Sequence, residues 1–175
     1  MAGSDVKSGH LHGSGYIFMG RARVRALDVV GTSSAGTLEI WDTDVLPVLT
    51  GTYGRSGTTV TVTDTDHGLT TGDVVGISFE PDSGVIATNG NYEITVVDAD
   101  TFTLVDINSG TISNDPDCRY VTGTDGYNAQ WIATFHTSAN DTYYNGFNIP
   151  EEGMLCRLGV YIFAENLASV NIYYA

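Results

Sequence analysis

Lysine is almost missing from this 175-residue chain. Lys7 stands alone, and the seven basic residues face 21 acidic ones for a formal net charge of −14. Phosphate recognition depends on Lys and Arg, so this balance argues against binding nucleic acid or an anionic membrane by general electrostatics. It leaves a coating role, or a basic partner. Cysteine is nearly as scarce. Cys118 and Cys156 are the only two, without the spacing or companions of a zinc site. Reduced, partly buried thiols are favoured over a disulfide. No apolar run approaches the roughly 18 residues of a membrane-spanning helix. The opening "MAGSDVKSGHLHGSG" has no apolar core of a secretory signal and reads as a flexible arm over residues 1–14. His10 and His12 form an H-x-H pair there. With no acids beside them they read as part of a solvated tail rather than as metal ligands.

Helical periodicity is also missing, apart from the short window "FAENLASV" (163–170), whose flanks compete as strands. Charged residues make up 16% of the chain, below the usual quarter, while 42% is hydrophobic, so a packed core under a Thr/Ser/Asn/Gly surface is expected.

What is present is alternation. "TTVTVTDT" (58–65) alternates Thr with Val, and "GTLEIWDT" (36–43) sets Leu38 and Ile40 against Glu39 and Trp41. In "YIFMGRARVRALDVV" (16–30), Arg21, Arg23 and Arg25 face one way and Ala22, Val24 and Ala26 the other. Further strand patterns lie at 73–79, 91–100, 101–107, 129–137, 154–164 and 168–175, with Gly, Asn or Asp between them. Short strands at short spacing, with no room for crossover helices, predict an all-β chain of antiparallel sheets.

The chain is not uniform along its length. Residues 53–122 are rich in Thr, Asp, Gly and Val and hold only Arg55 and Arg119 as bases, whereas the aromatics crowd on either side. Gly-rich stretches, "TGTYGRSG" (50–57) and "VTGTDGYN" (121–128), sit at both edges. The predicted organisation is an antiparallel, jelly-roll-like β-sandwich from residues 15–52 and 123–175, carrying an inserted small β-barrel at 53–122.

Within the insert, Gly68 supplies a positive-φ turn position and Leu69 returns to the core. Asn89-Gly90 is the strongest hairpin signal, and Asp98-Ala99-Asp100 is a second tight turn. The run His67-Gly68-Leu69, Gly72-Asp73-Val74-Val75, Ile77, Asn89-Gly90, Tyr92, Ile94, Val97-Asp98 and Thr101-Phe102-Thr103-Leu104 resembles a small β-barrel module. That module recurs in bacteriophage tail and other virion proteins, and sequence profiles link it to the first catalytic-cysteine half-domain of ubiquitin-activating enzymes. It covers about 50 residues and implies architecture rather than activity. The flanks, with "AGTLEIWD" and the closing "GMLCRLGVYIFAENLASVNIYYA", resemble small virion proteins of tailed phages, notably marine cyanobacterial phages. The resemblance implies a sandwich that assembles with copies of itself.

Candidate sites follow from residue type. His67 between Asp66 and Asp73 has the makings of a general base oriented by a carboxylate, but no third partner accompanies it, and a turn is the better reading. The acid pairs Asp64/Asp66, Asp98/Asp100 and Asp115/Asp117 lack the order of a calcium loop. No nucleophile elbow, paired glycosidase carboxylates or P-loop is present, so no catalytic residue, metal or cofactor is assigned. Arg21, Arg23 and Arg25 are the one concentration of positive charge and suit an acidic patch on a neighbouring copy or a capsid. Trp131, Tyr143, Tyr144 and Phe147 are candidates for a subunit interface or a sugar-stacking platform. The expectation is a non-enzymatic virion protein. It would be a capsid decoration or cement protein on the head surface, homo-oligomeric as a trimer, with the major capsid protein as partner and neither nucleic acid nor membrane bound. The alternative is a tail or fibre module that binds a host-surface glycan. A small hydrolase built on His67 is the third reading.

Overall fold

The computed structural model describes residues 6–44, 49–81, 84–113, 115–122, 129–142, 144–150 and 152–175, with backbone alone for Tyr144 and Asn145. The chain is all-β, as the alternation predicts. It lays down β1 (Lys7–Leu11), β2 (Gly15–Met19), β3 (Ala22–Gly31) and β4 (Gly36–Asp42). It then forms β5 (Leu49–Thr63), β6 (Val74–Phe79), β7 (Gly90–Glu93), β8 (Thr95–Val96), β9 (Thr101–Ile112) and β10 (Asp117–Thr122). It finishes with β11 (Gln130–Thr137), β12 (Tyr144–Asn148), β13 (Met154–Cys156), β14 (Gly159–Glu165) and β15 (Leu167–Tyr174). Two compact units result: Met1–Asp44 with Ile132–Ala175, and Val45–Trp131.

The first unit is a two-sheet sandwich. One sheet runs β1-β15-β3-β12, with β13 also on β3, and the other runs β11-β4-β14-β2. Inward residues of both sheets form one core: Val24, Leu27 and Val29 of β3 and Val170 and Ile172 of β15 meet Leu38 and Ile40 of β4 and Val160 and Ile162 of β14. The alternation in β3 slips once. Tyr173 pairs with Ala26 but Tyr174 pairs with Val24, so Arg25 is the extra residue of a bulge. Ala22 and Val24 therefore point inward as expected, whereas Ala26 moves to the half-exposed outer face and Leu27 takes the next inward place. The window "FAENLASV" is no helix. It is the corner where the chain leaves β14 for β15 in the opposite sheet, through Asn166 at φ 54°. Asn tolerates that conformation, and its Nδ2 donates to the Ala35 carbonyl at 3.1 Å.

The expected flexible arm is a strand over part of its length. Lys7–Leu11 pairs antiparallel with β15, Lys7 opposite Tyr174 and Leu11 opposite Val170. β1 thus covers the backbone row of β15 and is itself the sheet's short, five-residue edge strand. Leu11 and Ile17 pack against the core.

The second unit is one six-stranded sheet in the order β7-β6-β10-β5-β9-β8. Its two edge strands, β7 and β8, are consecutive in sequence and separated only by Ile94. The sheet therefore curls until its edges approach. Ile94 sits at the junction, 1% exposed, its N–H donating to the Asp73 carbonyl at 3.0 Å and its carbonyl accepting from Gly72 at 2.9 Å. Val60, Val62, Ile77, Phe102, Leu104 and Tyr120 fill the interior. The segment 91–100, expected as one strand, is thus two strands at opposite edges. The 50–57 stretch, read as a joint, lies inside β5, whose first half pairs with β10 and second half with β9. That pairing puts residues 49–52 in the second unit. Asn89-Gly90 is not a two-residue turn either: Gly90 opens β7 opposite Ile77, and the Asn89 side chain accepts the Phe79 N–H at 2.8 Å, ending β6. The turn after Val97 is as read, with Asp100 N–H donating to Asp98 Oδ1 at 3.0 Å.

Candidate functional site

The outer face of β3 carries the arginines. Arg21 lies just before the strand, while Arg23 and Arg25 are on it, half-buried. Arg23 Nη2 is 3.2 Å from Glu152 Oε2, the two side chains 30% and 79% exposed. An ion pair that open contributes about 0–1 kcal/mol, so it orients the guanidinium more than it stabilises the fold. Arg25 Cδ lies 3.1 Å from where a Cβ on Gly153 would sit, and that Cβ would also be only 2.4 Å from the Val24 carbonyl. Gly153, at φ 78°, is required there. Across the same face runs a polar row: His10 opposite Asn171, Asn171 opposite Asp28, and Asp28 opposite Gly146. The Tyr173 hydroxyl donates to Asp28 Oδ2 at 2.9 Å.

Of the four aromatics, the structure describes the side chains of Phe147 and Trp131. Phe147 packs inward against Phe135, centroids 5.3 Å apart, as part of the sandwich core. Trp131 belongs to the second unit, where the Asn91 side chain holds its backbone, accepting the N–H at 3.2 Å and donating to the carbonyl at 3.5 Å. Tyr144 lies on β12 opposite Val30. Tyr143 lies outside the described residues.

His67 is a turn residue. It is 9% exposed, its Nδ1 accepts the Leu69 N–H at 3.0 Å, and its ring meets Phe102 edge-on at 5.4 Å. An acceptor Nδ1 leaves the proton on Nε2, which is buried with no hydrogen-bond partner. The acids around it answer backbone donors: Asp100 Oδ1 accepts from Asp66 N–H at 2.9 Å and Asp73 Oδ2 from Thr70 N–H at 2.8 Å. His67 and Asp73 thus each accept a backbone N–H of the same loop, from Leu69 and Thr70.

Asp64 is different. Its Oδ2 accepts the Tyr120 hydroxyl at 2.6 Å. Burial, then this bond to a carboxylate, push the Tyr120 phenol well above its ordinary value. Asp64 also borders a shallow groove of about 380 Å³ lined by Thr50, Thr52, Thr63, Thr65 and Asp117. Hydroxyls and two carboxylates on an open floor can hydrogen-bond a polyol, and the alternation in β5 is the signal that places Thr50, Thr52 and Thr63 together there.

Sequence reasoning also missed the most buried charge. Arg55 Nη2 is 3.0 Å from Asp106 Oδ2, both side chains fully buried. Arg55 donates further to the carbonyls of Gly57, Val85, Ile86 and Asn108. Asp106 accepts from the N–H groups of Thr88 at 2.8 Å and Asn108 at 3.2 Å. Arg119 pairs with Glu80 in the same unit. The lone bases of an acidic segment were the clue: Arg55 sits where the buried Asp106 carboxylate needs it, and Arg119 beside the partly exposed Glu80. Cys118 and Cys156 are free, buried and in separate units, and burial pushes both thiols up to about 12. Among the described residues no group of three or more His, Cys, Asp or Glu gathers as a metal cluster.

No family model matches the sequence, and no curated protein matches it. Among solved structures, this chain is similar to a phage phi92 endosialidase at 20% identity, over 85% of this chain, with a TM-score of 0.30. It spans about a fifth, 21%, of that chain.

Proposed function

We propose that the chain is a non-enzymatic structural protein of a tailed-phage particle, a decoration or cement protein that binds the head shell as a homo-oligomer, a trimer in the simplest case. One observation carries the reading: His67, Asp64, Arg55, Asp106 and the two thiols are all engaged in holding the fold or buried within it. His67 caps a turn, Asp64 holds Tyr120, Arg55 and Asp106 neutralise each other in the core, and both thiols are buried and protonated. What remains to meet another molecule is surface. On the outer face of β3, Arg23 and Arg25 stand beside the polar row from His10 to Asp28, in a chain otherwise strongly acidic. Complementary charge of that kind fixes register between copies more than it adds affinity. The resemblance of the flanks to small virion proteins supports the same reading. Native mass spectrometry of the chain, alone and with Arg23→Glu/Arg25→Glu, tests it. An oligomer lost in the double variant supports it, and a monomer at all concentrations, with no density for this chain on reconstructed particle heads, overturns it.

The Thr/Asp groove favours a second reading, a tail or fibre module that binds a host-surface glycan. Glycan-array binding abolished by Asp117→Ala would replace the first proposal. Absence of binding to any envelope glycan would remove the second.

A further inference from the structure

His10 and His12 are the feature that the proposed function does not use. Both side chains are exposed, and both rings are anchored to β15 by their Nδ1 atoms. His12 Nδ1 lies 3.0 Å from the Ala168 carbonyl oxygen, which can only accept, so Nδ1 carries the proton. His10 Nδ1 lies 2.6 Å from Asn171 Oδ1, again an acceptor. In the neutral rings this leaves a lone pair on each Nε2, and the two Nε2 atoms are 3.1 Å apart. Two lone pairs at that separation repel unless a positive charge lies between them, either a shared proton or a metal ion.

Ring geometry separates these. A linear N–H···N bridge, the favoured hydrogen-bond shape, would add both ring radii to the N···N distance and set the centroids roughly 5.4 Å apart. The observed separation is 4.6 Å, with planes at 89°. An ion about 2.05 Å from both nitrogens, the usual metal–imidazole distance, would subtend an N–metal–N angle of roughly 98° and set the centroids roughly 4.8 Å apart. The rings are thus not aimed at each other along the N···N line, and their separation lies nearer the value for a shared ion.

The geometry points to a two-imidazole chelate for a divalent first-row transition ion of the copper, nickel and zinc class, formed by His10 and His12. Imidazole nitrogen selects that class, and calcium and magnesium, which take oxygen, are excluded. Nδ1–H groups donated to carbonyl-type oxygens are the arrangement that orients metal-binding histidines and raises their basicity. Among the described residues no third His, Cys, Asp or Glu joins the pair, so water completes the coordination shell on this exposed edge. Both anchors lie on β15, so a bound ion would tie the end of β1 to its partner strand and stabilise the paired state by mass action.

The test uses the untagged full chain, stripped of metal, titrated with CuCl2 in a non-coordinating buffer, since copper binds tightest in this series. The expected result is one Cu2+ per chain, a paramagnetic resonance spectrum showing two nitrogen donors, and a raised melting midpoint. His10→Gln and His12→Gln should each weaken binding at least tenfold, and Asn171→Val by about tenfold or more through lost orientation. His136→Gln should leave it unchanged. The β1–β15 ladder is backbone-made, so these variants keep the fold, and the resonance spectrum of the native chain needs no variant. A spectrum with one nitrogen or none, uptake unaffected by His12→Gln, or uptake lost in His136→Gln would each overturn the assignment.

Discussion

Asp106→Asn asks whether the buried ion pair holds the second unit together. The replacement keeps the shape and removes the charge. Asp106 Oδ2 receives both Arg55 Nη2 and the Thr88 N–H, while Oδ1 receives the Asn108 N–H. An amide has one oxygen, so in either orientation its NH2 faces a donor. Arg55 meanwhile keeps a full charge with no exposed surface and only carbonyl dipoles around it. Removing one partner of a buried pair costs about 3–5 kcal/mol. A unit of this size loses about 4–8 °C per kcal/mol, so even the lower figure lowers its melting midpoint by about 12 °C. Replacing both members with leucine should not rescue it. Four backbone carbonyls would lose the Arg55 donors and stay buried, each at about 1–3 kcal/mol.

The pH dependence follows from the same site. Burial opposes the charged form of Asp106, but the Thr88 and Asn108 donors and then Arg55 outweigh it, and its carboxyl is held below the ordinary value. A carboxyl whose folded value is depressed adds stability above its unfolded value and loses it as pH falls through the folded one. The native unit should therefore weaken below about pH 4, where the unfolded carboxyl titrates, and Asp106→Asn should flatten that limb. Calorimetry from pH 7 to 2.5 reads both. A midpoint shift under about 4 °C, the equivalent of 1 kcal/mol or less, would refute the reasoning.

Ile94→Ala removes the side chain at the junction of the two edge strands and should cost about 2–5 kcal/mol, with amide exchange quickening in β7 and β8 together; loss in one alone would mean the edges are independent. Ellman's reagent should modify neither Cys118 nor Cys156 in the native chain, even at pH 9, because burial rather than pH limits them. Both should react in denaturant, and a fast native phase would contradict their burial. Replacing residues 45–129 with a short Asn-Gly loop should leave the sandwich folded. β4 and β11 are neighbours, and Thr37 Oγ1 and His136 Nδ1, 3.3 Å apart, bring the start of one beside the end of the other. A non-cooperative melt of that product would show the second unit to be necessary.

The strands were legible because period-two alternation is written locally, residue by residue. Val60 and Val62, the apolar half of the Thr/Val alternation, are both inward, as are Phe102 and Leu104. Three things were not local. The bulge at Arg25 is fixed by where Tyr173 and Tyr174 lie on a strand at the far end of the chain. The division of 91–100 depends on the sheet curling until its edges approach, which no window of ten residues contains. β1 is a strand because β15 has an open edge, and "KSGHL" alone has little strand propensity to announce it.

The site residues divide on the same line. His67 was readable as turn chemistry because its partner, the Leu69 N–H, is two residues away. Arg55 was visible as an oddity, a lone base among acids, but its partner Asp106 looked like any solvated acid until β9 was placed beside β5. His10 and His12 have no acids beside them in sequence, a comparison that covers chain neighbours and not a partner strand. On a strand the orienting groups come from across the ladder, here the Ala168 carbonyl and Asn171. A short motif is therefore better judged by what an adjacent edge strand could supply than by its sequence neighbours. In an all-β chain the relevant neighbour is as often far away as near.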